Sequence, residues 1–276
     1  MSVKSILITG CSTGIGYTCA HALKSRGYNV IASCRQEEDV LRLQSEGLTC
    51  IQLDLSSPES ITSAVRQTLK LSNGNLYALF NNGGYGQPGA LEDLPTEALR
   101  EQFETNFFGW HQLVKEVLPV MREQGNGRII QNSSVLGFAA IPYRGAYNAV
   151  KFAIEGWTDT LRLELYNTGI NICLIEPGPI ETRFRANALQ KFRQWIDIES
   201  SYHKTDYQSQ LARLNKTTSG NRFVLPAEAI VAPLIHALES PDPKPRYRVT
   251  TQTKIAAVLK RLLPTSVLDN ILRKSA

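Results

Sequence analysis

"ITGCSTGIGYTCAHALKSRG" (residues 8–27) places Gly10, Gly14 and Gly16 between an apolar run and an amphipathic one. Glycine is a poor residue inside a strand or a helix, so three of them at one handover need a reason. A turn followed by a helix start is one: Gly10 supplies a positive φ, and Ser12 or Thr13 caps the helix. A phosphate cradle is the other. "VKSILIT" (residues 3–9) is apolar and β-branched enough for a buried parallel strand, and Ile15, Cys19, Ala22 and Leu23 recur at helical spacing. Between them, glycines let backbone N–H groups approach a pyrophosphate at the positive end of a helix. The spacing is G-x-x-x-G-x-G, not the commoner G-x-G-x-x-G, so support is needed from the rest of the chain.

Strand signals at 3–9, 29–34, 49–53, 76–81, 127–132, 170–175 and 246–250 alternate with helical patterns at 15–26, 37–46, 58–71, 97–124, 147–167 and 226–239. Parallel strands need crossovers of about a dozen residues, and these intervals supply them. The expected fold is α/β: one Rossmann-type domain over residues 1–276, a doubly wound parallel sheet with helices on both faces. Ser57-Pro58-Glu59 and Pro226-Ala227-Glu228 mark helix starts. Two stretches stand outside the alternation: a polar, aromatic insertion at about 184–222 and a basic amphipathic segment at about 254–276.

Composition narrows the function classes. No apolar run is long enough to span a bilayer, no signal peptide is read, and a cytoplasmic location is expected. Five cysteines without a C-x-x-C pair point away from disulfides, and four scattered histidines point away from a metal site. The net charge of +5 is uneven: residues 244–276 carry +7, leaving about −2 for the rest. That is a basic tail, not a nucleic-acid footprint, and no nucleic-acid partner is expected.

"YNAVK" (residues 147–151) carries the chemistry. Tyr147 and Lys151 are four apart and share one helix face. Ser134 stands thirteen residues upstream, just after a strand-like run, where ligands bind in an open α/β sheet. A carbonyl reduced by hydride develops negative charge on oxygen and needs a proton donor and a stabilising hydrogen bond. Tyr147 can donate the proton, Ser134 can hold the oxygen, and an ammonium at Lys151 would favour the phenolate and lower the pKa of Tyr147.

With these residues the chain resembles the short-chain dehydrogenase/reductase family over nearly its full length. The motifs run in order: "TGCSTGIG" (9–16), Asp54, "NNGG" (81–84), Asn106 in "NFFG", Ser134, Tyr147, Lys151 and "PGPIET" (177–182). The resemblance implies that Tyr147 is the acid/base, that Lys151 positions ribose and tunes Tyr147, and that Ser134 orients the carbonyl. It implies that Asn106 holds a helix distortion and a proton-relaying water. It assigns cofactor contacts to Gly10, Ser12, Thr13, Gly14, Ile15, Gly16, Asp54, Leu55, Asn81, Gly83, Pro177, Gly178, Ile180 and Thr182. Gly83 replaces the family's usual alanine, and Val150 its usual serine, both beside rather than at the catalytic positions. A silent NADP-binding redox sensor or interaction module of the same fold is the alternative; the presence of both Tyr147 and Lys151 argues against it. Epimerase-like relatives share Y-x-x-x-K but differ in chain length and glycine loop.

NADP(H) is the expected cofactor. The second strand candidate ends in "VIASCRQ" (30–36) without an acid, and Arg35 is placed to meet a 2′-phosphate. Thr13 lacks the cation that some NADP-preferring relatives have there. "NFFGWHQL", "LIEPGPIETRF" and "RYRVT" resemble the branch holding retinol and 17β-hydroxysteroid dehydrogenases and bacterial NADP-dependent aldehyde reductases. That implies a small hydrophobic carbonyl or alcohol substrate. Ser134, Phe138, Ile141, Pro142, Tyr143 and Phe184 are expected pocket wall, with Phe184, Phe192 and Trp195 as a lid. In the tail, Ile255, Val258, Leu259 and Leu262 share a helical face, and Pro264 separates a second apolar set. This segment reads either as helices covering the sheet edge or a homo-oligomer interface, or as a lid or lipid-facing surface.

Overall fold

The computed structural model describes residues 3–215 and 223–275. β1 (Ser5–Ile8) is buried at every position, as a central parallel strand covered on both faces requires. It is followed in the chain by α1 (Gly14–Ser25), β2 (Asn29–Cys34), α2 (Glu37–Ser45), β3 (Thr49–Gln52), α3 (Pro58–Leu71) and β4 (Leu76–Asn81). Then come α4 (Thr96–Phe103), α5 (Gly109–Gln124), β5 (Gly127–Asn132), α6 (Gly145–Glu164) and β6 (Ile170–Glu176). α7 (Phe184–Trp195), α8 (Lys204–Asn215), α9 (Val231–Glu239), β7 (Arg246–Arg248), α10 (Thr251–Leu262) and α11 (Thr265–Leu272) complete the order. The strands form one parallel sheet in the order β3-β2-β1-β4-β5-β6-β7. The order reverses between β1 and β4, which opens a crevice at their carboxyl ends.

Alternation along the strands builds two cores. Ile6 and Ile8 face Cys19 and Leu23 of α1 and Leu234 and Leu238 of α9. Leu7 faces the other way, toward Trp110, Leu113 and Val117 of α5 and Ile154 and Leu161 of α6. α3 starts as expected: Pro58 opens it, and the Ser57 hydroxyl accepts from the Ser60 amide at 3.2 Å.

Two expectations change. The single helix read over 97–124 is interrupted by a π-helical turn, Glu104–Phe108, between α4 and α5. The insertion after β6 is not an irregular excursion: α7 and α8 pack on one another around their own cluster of Ala90, Ala188, Phe192, Ile196, Tyr207 and Leu214. Phe192, expected in a lid, is therefore the buried centre of that cluster, and Trp195 is half-buried. Residues 216–222 of the insertion lie outside the described residues.

The tail forms the two expected helices. Thr250 caps α10 and sits on Gly178, where a Cβ would come within 2.1 Å of the Thr250 hydroxyl. Thr253 and Ala257 are buried there, while Ile255, Val258 and Leu262 are turned to the outside. Among the described residues no helix is long and apolar enough to cross a membrane.

Candidate active site

The glycine loop lies at the crevice. Gly10 takes φ +70°, and a Cβ there would fall 2.5 Å from the Gly83 Cα. At Gly16 a Cβ would fall 2.3 Å from the Gly10 carbonyl oxygen. Backbone thus meets backbone where any side chain would intrude. Gly14, at φ +62°, faces the Thr182 methyl. Thr13 occupies the N-cap of α1 in an extended conformation, yet its side chain makes no capping bond. The first N–H groups of α1 are left for another acceptor, the arrangement that binds a pyrophosphate. Ile15 packs down onto the core, and the Ser12 carbonyl accepts from Arg42 at 2.7 Å. Arg42 is in turn paired with Asp39 and Glu46.

The two asparagines of "NNGG" point in opposite directions. Asn81, expected at the cofactor, is fully buried in β4, and its side-chain amide has no hydrogen-bond partner. Successive residues of an extended chain point to opposite sides, so Asn82 is the one that reaches the loop. Its Nδ2 donates to the carbonyls of Thr9 and Gly10 at 2.9 and 3.2 Å. Its Oδ1 accepts from Asn132 Nδ2 at 2.9 Å, and the Asn132 carbonyl accepts from Lys151 Nζ at 2.7 Å. An unbroken chain of bonds therefore joins the glycine loop to the lysine. The Thr9 hydroxyl accepts from the amides of Asn82 and Gly83.

Ser134, Tyr147 and Lys151 come together where β5 gives way to α6. The two neighbouring serines separate cleanly. Ser133 is buried and donates to Glu155 Oε1 at 2.5 Å, whereas Ser134 is half-buried and hydrogen-bonds Tyr147. Burial holds the Tyr147 hydroxyl above its ordinary pKa, and the bond with Ser134 works the other way. Burial also pushes Lys151 down to about 7, opposed by the charge of Glu155 one turn along α6. Burial therefore acts on both groups in the direction of their neutral forms. Lys151 Nζ lies 4.5 Å from the Trp110 ring centroid and 5.5 Å from that of Tyr147. Phe184 lies edge-on to Tyr147, ring centroids 5.3 Å apart.

Asn106 sits in the π turn, the helix distortion expected of it. Its amide is fully engaged with the Tyr85 backbone, accepting from the amide at 3.2 Å and donating to the carbonyl at 2.7 Å. A π turn disturbs the regular carbonyl pairing of a helix. Arg35 is exposed just beyond β2; among the described residues no carboxylate pairs with it. Asp54 follows β3, with one carboxylate oxygen accepting from the Ser56 amide and hydroxyl. Leu55 is buried against Gly83 and Gly109. The Pro177 carbonyl accepts from the Val135 amide, and Ile180 bridges to Leu225, so residues 177–182 fold back toward Gly14.

Of the expected pocket wall, Phe184 is on the tyrosine, and Phe138 closes the turn after Ser134. Tyr143, at φ 59°, turns to the insertion: its hydroxyl donates to Asp206 at 2.5 Å, and its ring packs on His203 and Tyr207. Ile141 and Pro142 line a cavity with Asp269, Asn270, Leu272 and Arg273 at the end of α11. Among the described residues no group of side chains is arranged to hold a metal ion.

A family profile described as "short chain dehydrogenase" matches residues 4–192. The chain belongs to the short-chain dehydrogenase/reductase family. It is therefore an oxidoreductase of that family, whose members act on small carbonyl or alcohol substrates with a nucleotide cofactor. It is 45 % identical to the uncharacterized oxidoreductase YbbO of Escherichia coli over 270 residues, covering 98 % of this chain and 94 % of that one. Human retinol dehydrogenase 8 is 39 % identical over 197 residues, covering 67 % of this chain and 62 % of that protein. A short-chain dehydrogenase of Burkholderia phymatum solved in complex with NAD superposes with a TM-score of 0.78 at 25 % identity, covering 95 % of this chain and 92 % of that one. A single-substitution variant of actinorhodin polyketide ketoreductase, solved with NADPH, gives 0.72 at 25 % identity, covering 90 % of this chain and 95 % of that one.

The residues present fit a dinucleotide. The glycine cradle has no room for a Cβ, and the start of α1 offers unpaired donors. The residues that sequence reasoning passes over are Thr9, Arg42, Asn82, Asn132 and Glu155. Of these, Thr9 and Asn82 lie inside motifs singled out above, without a role assigned to either.

Proposed function

We propose that this protein is an NADP-dependent reductase of hydrophobic aldehydes or ketones, or the dehydrogenase of the corresponding alcohols. The observation that carries the reading is the meeting of Ser134, Tyr147 and Lys151 at the carboxyl edge of the sheet, tied by Asn132 and Asn82 to the glycine loop. A bound nicotinamide nucleotide would supply or accept the hydride. Gly10, Ser12, Thr13, Gly14, Ile15 and Gly16 would hold its phosphates, Asp54, Leu55 and Gly83 its adenine side, and Pro177, Gly178, Ile180 and Thr182 its other end. Arg35 would pair with a 2′-phosphate, which supports NADP over NAD. Ser134 would hold the carbonyl oxygen while Tyr147 gives it a proton. Lys151 in its charged form would favour the tyrosinate left behind and refill it with a proton. Phe184 over the tyrosine would exclude water and present an apolar wall to the substrate.

The test is NADPH oxidation across medium-chain aldehydes, retinal and steroid ketones, beside Tyr147→Phe. That variant keeps the ring and loses the proton donor, so turnover should fall about 10²–10⁴-fold with nucleotide affinity and Tm intact. Near-wild-type turnover would sink the assignment. Nucleotide binding with no carbonyl turned over would place the chain with silent nucleotide-binding modules.

Two exposed apolar faces bear on partners. Phe108, just before α5, and Phe152 and Leu163 of α6 are exposed, which supports a homo-oligomer built on these helices. Ile255, Val258 and Leu262 of α10 lie beside Lys254, Lys260 and Arg261, which supports reversible contact with an anionic lipid surface. Phe152→Asp should lower the oligomeric state in light scattering. Leu262→Asp should abolish flotation with anionic vesicles at low salt. All five cysteines are free and buried, in keeping with a cytoplasmic, reducing setting.

A further inference from the structure

In the seam between α6 and the α7–α8 hairpin, Arg144 and Arg213 carry positive charge with no carboxylate partner among the described residues. Arg144, the residue before α6, is only 8 % exposed. Its guanidinium donates to two neutral acceptors, the Tyr143 carbonyl at 2.6 Å and Gln210 Oε1 at 3.2 Å. Gln210 is itself buried, on α8. Arg213 stands three residues further, on the same face of α8, close enough for its charge to oppose that of Arg144. Arg185, next to the Phe184 that lies on Tyr147, adds a third positive charge against Arg213.

Among the described residues no carboxylate pairs with Arg144 or Arg213. Asp206, the one acid of α8, is engaged by the Tyr143 hydroxyl at 2.5 Å and by His203. Residues 216–222, KTTSGNR, include no acid at all. Burial, with Arg213 beside it, pushes Arg144 down to about 9. A guanidinium taken out of water without a counter-ion is strongly unfavourable, and an apolar side chain of the same length would cost less.

We infer that Arg144 and Arg213 form an anion subsite of the substrate cleft, which takes a carboxylate or phosphate at the end of the substrate remote from its carbonyl. Both groups offer paired oxygens that match the guanidinium fork. Three contacts join the hairpin that carries Arg213 to the start of α6, four residues or fewer from Tyr147: Arg144 to Gln210, Tyr143 to Asp206, and Phe184 to Tyr147. The substrate class is thus an amphiphile, an aldehyde or ketone on an apolar chain that ends in an anion. The inference rests on the carbonyl-reductase reading for its substrate, and on the buried cations alone for its anion.

The experiment compares nonanal, azelaic semialdehyde and a phosphate-tailed aldehyde of similar length at constant ionic strength, in wild type and Arg213→Met. The anionic substrates should show a KM about tenfold or more below that of nonanal. Arg213→Met should erase most of that advantage. In parallel, with saturating NADP+ occupying the glycine loop, azelate or inorganic phosphate should raise the Tm of the wild type, with chloride at equal ionic strength as control, and should not raise that of Arg213→Met. The carboxylate and phosphate arms separate the two sources. Equal KM for nonanal and the anionic aldehydes, or Tm shifts that are the same in both proteins, would overturn the inference. Should no carbonyl be turned over, the Tm comparison still decides the subsite, and the failure then belongs to the reductase reading alone.

Discussion

The two walls of the cleft are built by different means. On the glycine-loop side, backbone abuts backbone, and the gaps left by missing side chains set the shape. On the hairpin side, α7 and α8 rest on a small cluster of aromatic and aliphatic side chains separate from the two main cores. The first wall suits a ligand that never changes. The second can be altered residue by residue without touching the sheet. In a family whose members share a cofactor and differ in substrate, the rigid wall would face the constant partner and the adjustable wall the variable one.

Substitutions on either side can break or sharpen that contrast. Gly16→Ala should have the largest effect on nucleotide binding. Its Cβ meets the Gly10 carbonyl, which has no rotamer in which to move aside, and overpacking of this kind costs roughly 1–3 kcal/mol in stability. Nucleotide binding by calorimetry should be lost with it; an unchanged Kd would show that this wall is not rigid.

Phe192→Ala comes next. A buried Phe→Ala change costs about 3–5 kcal/mol in a main core. Because the cluster is separate, the loss should stay local. Hydrogen exchange should accelerate in α7 and α8 only, and substrate KM should rise while nucleotide Kd holds. Global unfolding would mean that the hairpin is part of the main core after all. Arg35→Ala should weaken NADPH by about 1.5–3 kcal/mol and leave NADH alone. If both cofactors weaken equally, Arg35 does not discriminate.

Glu155→Gln should have the smallest effect. The Glu155 charge supports the proton on Lys151, so its removal lowers the lysine pKa further. The alkaline limb of the reduction profile should move to lower pH, by less than about one unit. A limb that stays put or moves alkaline would remove Glu155 from the site's electrostatics.

The same contrast sorts what is legible in the sequence. The strands, their parallel order and the glycine loop are readable because each rests on local pattern: β-branched runs, a helix-length gap, a residue without a Cβ. Ser134, Tyr147 and Lys151 are readable because one strand end and one helix face carry them all. Motif matching points to Asn81 rather than Asn82 because it ignores which way an extended chain points its side chains. The α7–α8 hairpin reads as an irregular insertion although Ala188 and Phe192 stand one helical turn apart, because its polar exterior hides a stripe of few apolar residues. The balance between Lys151 and Tyr147 is beyond reach of the sequence, since burial by Trp110 and Phe184 comes from distant segments.

The bond chain from Gly10 through Asn82 and Asn132 to Lys151 bears on how this enzyme could be re-engineered. A graft that replaces only the loop around Gly10, to change cofactor, would inherit the recipient's asparagines and their reach. If the new loop sets its carbonyls a fraction of an ångström elsewhere, Asn82 must follow, and the lysine with it. On the proposed function, cofactor exchange and proton delivery would therefore not be separable modules here. A working transplant would have to carry residues 9–16, Asn82 and Asn132 as one inherited unit.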